Sequence, residues 1–157
     1  MNDYQAQFRR LLRAHLRISR TPTYAPDDLD GLRAAFETYS DDLISFFQHA
    51  WHLKDWIRND AGVPTSTREA VVGEAEKTDE LLLCADIANG TKHLNLQNPR
   101  VGGKLSLAEF LRTSTPGVHK IEFFVDYGTG KRQYVRVAAD EALAKWRSLL
   151  ARHGLSE

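Results

Sequence analysis

The stretch DIANGTKHLNL, Asp86–Leu96, decides how much of this 157-residue chain is helical. It follows TDELLLCA, which reads as the start of an apolar helix, and it is interrupted by Asn89-Gly90-Thr91, which is turn vocabulary. A chain selected only for helix stability would place neither Asn89 nor Gly90 there, since glycine costs about 1 kcal/mol against alanine inside a helix. Read as a turn, the stretch ends a helix near Asn89. Read as helix, it puts Asp86, Asn89 and His93 at i, i+3 and i+7 on one face, continuing the stripe from Leu82 to Leu96. The shared face favours helix, with a polar middle between apolar ends.

Working outward toward the N-terminus, the same 3.6-residue logic applies. Tyr4, Phe8, Leu11, Leu12, His15 and Ile18 share one side of a helix over residues 2–20, with Arg10, Arg13, Arg17 and Arg20 on another. TPTYAPDD breaks the chain with two prolines and offers Asp27 or Asp28 as a cap. From 29 to 59, Leu29, Leu32, Phe36, Tyr39, Leu43, Phe46, Ala50, Leu53 and Ile57 alternate steps of three and four, as a bundle seam does. Asn59, Gly62 and Pro64 supply stop signals, and STRE has capping-box form, with Ser66 answered by Glu69, opening a third helix. Thr78 or Asp79 then caps the fourth, which runs to about Leu96.

Beyond NPRVGG the character changes. KLSLAEFLRTSTPG fits a short helix or an irregular strand. Ile121, Phe123 and Val125 alternate, YGTGK is a Gly-rich turn and Gln133–Val137 resumes a β-type run, which predicts a hairpin. ADEALAKWRSLLARHGL gives a final helix ending at Gly154. The expected fold is therefore mainly α: a single domain in which residues 1–97 form a bundle of about four helices and residues 98–157 a β-hairpin plus C-terminal helix.

Composition bounds the function classes. With 21 basic and 21 acidic residues the chain is formally neutral, so bulk charge gives no argument for nucleic acid or membrane. No apolar run approaches the ~18 residues of a membrane span, and MNDYQAQFRRLLRAH lacks the apolar core of a secretion signal. One cysteine, Cys84, makes no internal disulfide, sits in an apolar run and reads as a small buried hydrophobe in a reducing cytoplasm.

The long helix interrupts its apolar seam with FFQHAWHLKDW, where His49, His52 and Trp56 form one stripe and Asp55 follows His52 by three. If this helix packs beside the fourth, His52, Asp55, Asp86, Asn89 and His93 converge. Histidine would move a proton, a carboxylate would set its tautomer and asparagine would orient a substrate. Three readings compete: a satisfied polar network that registers two helices, a hydrolytic or nucleolytic site, and a metal site. The metal reading has neither HxxxH with its helical glutamate nor a Cys/His cluster behind it, and GTGK opens no helix, so it is no phosphate loop. No cofactor and no metal ligands are assigned. The arginines of the first helix either grip phosphates or cover apolar surface from solvent.

On these residues the chain resembles the HEPN superfamily (higher eukaryote and prokaryote nucleotide-binding domains), over roughly residues 27–96. Its motif is Arg, a polar residue, a short spacer and His; ANGTKH supplies Asn89 and His93, while Ala88 stands in the Arg position. The resemblance implies a helical bundle, commonly a homodimer, acting on RNA or nucleotides in a toxin–antitoxin or phage-defence setting, with a protein as a further partner. A metal-independent RNase of this kind would use His93 as general acid/base on a ribose 2′-OH, Asn89 to orient the phosphate, and Asp86 or Asp55 to hold the imidazole. Ala88 cannot stabilise charge developing on a phosphate, so Lys92, Arg10, Arg13 or an arginine from a second subunit would have to supply it, while Arg10, Arg13, Arg17 and Lys92 are the candidates for nucleic-acid contact. Without such a substitute, the implication is a silent binding module.

Overall fold

The computed structural model describes residues 3–90, 100, 102, 104–106, 110–112, 115–127 and 130–157. Among them are five helices: α1 (Tyr4–Ile18), α2 (Leu29–Asn59), α3 (Thr65–Ala75), α4 (Asp79–Gly90) and α5 (Val135–Arg152). Six short strands accompany them: β1 (Thr23–Tyr24), β2 (Lys104–Ser106), β3 (Phe110–Arg112), β4 (His119–Ile121), β5 (Phe124–Asp126) and β6 (Arg132–Tyr134). The fold is a mainly helical bundle with a small antiparallel β region and a C-terminal helix, as expected.

α2 is the spine, and its ends are set by local chemistry. The Asp28 carboxylate accepts the Gly31 amide at 2.8 Å, capping the free donors of the first turn. α1 runs antiparallel to it: Tyr39 Oη donates to Ile18 O at 3.1 Å near one end, and Gln7 meets His49 near the other. Phe8, Leu11, Leu43, Phe46 and Phe47 are fully buried along this seam. α4 packs along α2 from another side. α5 is pinned to α2 by Trp146, whose indole N–H donates to the Ala50 carbonyl at 2.8 Å from a fully buried position. Tyr4 ties the chain's two ends together, its hydroxyl donating to Ser156 O at 2.9 Å.

The strands form two three-stranded antiparallel sheets, ordered β1-β4-β3 and β2-β5-β6. The predicted hairpin is β5–β6, with Phe124 opposite Tyr134 and Asp126 opposite Arg132. Its turn is closed by Gly130 at φ +81°, a backbone region other residues avoid. The strand segment passes from one sheet to the other at Glu122–Phe123. Residues 121–125 are consequently all buried rather than alternating. Phe123 stacks on Phe36 at 5.4 Å and tilts against Tyr39 at 5.6 Å, fastening the β region to the N-terminal half of α2.

Several local expectations are corrected. The β run expected over Gln133–Val137 ends at Tyr134, and α5 starts at Val135 because Val135, Ala138, Ala139, Ala142 and Trp146 supply a buried stripe at helical spacing. The capping box at Ser66 and Glu69 does not form: α3 starts on Pro64 with no side-chain cap. Thr78 turns its hydroxyl back to Glu74 O at 2.8 Å instead of capping α4. KLS and FLR are strands, and Thr23–Tyr24 pairs with β4 in the segment read as a simple break.

Candidate phosphate-binding face of α1 and α2

α4 remains helical through Asn89 and Gly90, so the turn reading of Asp86–Leu96 is overturned as far as Gly90. His93 and Lys92 lie outside the described residues. Asn89 is half-buried at the helix end. Asp86 is fully buried, and its Oδ1 accepts the backbone amide of Arg100 at 2.8 Å. Ala88 is also buried, in the core cluster of α4.

Arg100 links α4 to α2. Its guanidinium lies 5.0 Å over the Trp51 ring, and the Lys54 ammonium lies 4.4 Å from the same ring. Lys54 Nζ then donates to Asp55 Oδ1 at 2.8 Å, and Asp55 Oδ2 faces His52 Nδ1 at 3.4 Å. A continuous chain of contacts therefore joins Asp86 to His52. Arg100 was not foreseen, because only the fold brings a residue 14 positions on back to Asp86.

Asp55 also accepts from Arg58 at 3.0 Å. Partial burial works to raise its pKa, but Lys54, His52 and Arg58 outweigh it and hold the carboxyl below its ordinary range. The His52 and Asp55 side chains are 42% and 37% exposed, open enough for a ligand to reach the pair. The carboxylate can only accept, so the Nδ1 of His52 carries the proton of this contact.

The arginine stripe of α1 lies beside this part of α2. Arg10 donates to Gln7 Oε1 at 3.2 Å and its guanidinium sits 5.0 Å over the Trp56 ring. Arg17 Nε donates to Asp42 at 2.6 Å. Arg13 is exposed and has no hydrogen-bond or ion-pair partner among the described residues.

His49 faces that stripe. Arg10 can only donate, so it fixes the Gln7 amide with Oε1 toward itself and Nε2 toward His49 Nδ1, 3.1 Å away. His49 Nδ1 must therefore accept, which leaves the imidazole neutral with its proton on Nε2. Burial, and then the charges of Arg10, Arg17, His52 and Arg13, hold its pKa below the ordinary histidine value. His49 thus presents a donor at Nε2, beside a His52 ring whose Nδ1 is turned to Asp55. His49 and Trp56 were visible as a stripe, but their relation to the arginines needed the α1–α2 register.

Other features are structural. Cys84 is fully buried and donates to Glu80 O at 3.2 Å; burial drives its thiol pKa far upward. Among the described residues no group of three or more His, Cys, Asp or Glu could hold a metal ion, and no helix is long and apolar enough to cross a membrane. No family model, curated protein or solved structure matches the chain.

Proposed function

We propose that this is a HEPN-like protein that binds RNA or nucleotide phosphates through the α1–α2 face. The observation that carries the reading is the unneutralised Arg13 beside Arg10 and the neutral, arginine-flanked His49. Arg13 is exposed and solvated, so its charge is free to meet an anion, and the neutral His49 beside it adds no competing positive charge. Phosphate oxygens accept from Arg10, Arg13 and His49 Nε2, while Trp56 offers a ring on which a base can stack.

The buried positions of Asp86 and Ala88 favour binding over cleavage by the motif residues. Asp86 is occupied by the Arg100 amide, and an arginine has no room at position 88. Any cleavage of a ribose 2′-OH would draw on the His52–Asp55 pair or on His93, with Arg58, bonded to Asp55 at 3.0 Å, as an arginine beside that pair.

The test is fluorescence anisotropy of a labelled single-stranded oligoribonucleotide. Arg10→Ala/Arg13→Ala should weaken binding at least about tenfold and make the salt dependence shallower by about 1.4 in log–log slope, two single-strand phosphate contacts. Equal affinity and slope for the variant would refute the reading. A parallel cleavage assay on His52→Ala and His93→Ala separates binding from catalysis.

A further inference from the structure

α3 carries a glycine that its packing does not explain. Gly73 lies within the helix TSTREAVVGEA, where it weakens the helix relative to alanine, yet a Cβ built there meets nothing within 4 Å. The space it leaves belongs to a cavity of about 390 Å³ between α3 and the end of α2, bordered by Arg58, Arg68, Glu69, Val72 and Glu76. That is at the small end of ligand-sized cavities.

The charges around it are half used. Arg58 and Glu76 satisfy each other at 2.7 Å. Arg68 donates to Arg58 O at 3.2 Å and to Thr65 Oγ1 at 2.8 Å, but it has no carboxylate partner among the described residues, and its buried Nε has no acceptor. Glu69 has neither a hydrogen-bond nor an ion-pair partner among the described residues. The α3 N-terminus adds positive character on the Arg68 side, since Pro64 leaves its first amides without a side-chain cap.

We propose that this cavity binds a small zwitterion of the α-amino acid class, with its carboxylate on Arg68 and its ammonium on Glu69. A simple anion would meet Glu69 and a simple cation would meet Arg68, whereas a zwitterion satisfies both. Val72 supplies an apolar wall for a short side chain, and Gly73 keeps the volume open. The site adjoins the His52–Asp55 network through Arg58 and Glu76, but Arg68 and Glu69 take no part in that network and the proposal does not depend on the phosphate-binding reading.

Saturation-transfer NMR on the full chain tests this, with L-serine, L-glutamine and L-leucine as probes and succinate and putrescine as controls bearing charge of one sign only. At least one amino acid should bind saturably, with both controls at least about tenfold weaker. Glu69→Gln should reduce that binding about tenfold or more. Gly73→Met should abolish it while leaving the thermal midpoint equal or higher, because the side chain enters empty space on a better helix former. Absence of saturable binding by all three amino acids, equal binding of succinate or putrescine, or undiminished binding to Gly73→Met would each overturn the proposal.

Discussion

The side-chain amide of Gln7 donates to Nδ1 of His49 at 3.1 Å, and that bond determines what His49 can offer. The arginine on the next turn, Arg10, fixes the orientation of Gln7 by donating to its oxygen. Gln7→Leu should free the His49 ring to take either tautomer, read in its ring nitrogen NMR shifts, while burial and the neighbouring charges keep its pKa below the ordinary value. A ring still held as the Nε2–H tautomer would mean that the amide does not set what His49 offers.

His49 also predicts a pH dependence of stability. Its folded pKa lies below the ordinary 6.5, so between the two values the unfolded chain binds more protons. Stability is then unaffected by His49 above pH 6.5 and declines as pH falls below it. Asp55, Glu74 and Glu76 have depressed carboxyl pKa values, so their contribution is lost only at lower pH, as each is protonated below its usual range. Denaturant unfolding from pH 8 to 3 should show two declines, and His49→Gln should remove the first.

Asp86 is a stability residue in this fold. Asp86→Ala leaves the Arg100 amide without that acceptor and should cost about 1–3 kcal/mol. Ala88→Arg, which would restore the motif arginine, places a charge in the core and should cost at least about 3 kcal/mol without creating nuclease activity. A stable, RNA-cleaving Ala88→Arg protein would show that position 88 can face a substrate after all.

Trp146 joins α5 to the spine. Trp146→Phe should lose about 1 kcal/mol with the indole bond to Ala50, and Trp146→Ala about 3–5 kcal/mol through the cavity it leaves. Urea midpoints at constant slope measure both. A neutral Trp146→Ala would mean that α5 is not anchored where its burial indicates.

The helices were legible because long periodic segments carry redundant signals. α2 begins and ends at the residues expected, 29 and 59, since its seam and its Asp28 cap agree. Of the strands, the β5–β6 hairpin was legible from its Gly-rich turn; the others were not, because segments of two or three residues carry no period and residues 121–125 bury both faces. At α5 the β-branched Val135 and Val137 masked a helical stripe already present from Val135 to Trp146. In the candidate site, the His52–Asp55 spacing was readable along one helix. The proximity of Arg10 and Arg13 to His49, and of Arg100 to Trp51, depends on how separate segments pack.

The most direct measurement of the α1–α2 reading is the His49 imidazole titration, followed by NMR with and without a saturating single-stranded oligoribonucleotide. Phosphates seated against Arg10 and Arg13 would offset the charges that now depress His49, so its pKa should rise on binding and fall back at high salt. A His49 titration unchanged by bound RNA, or no RNA binding at low salt, would contradict the account.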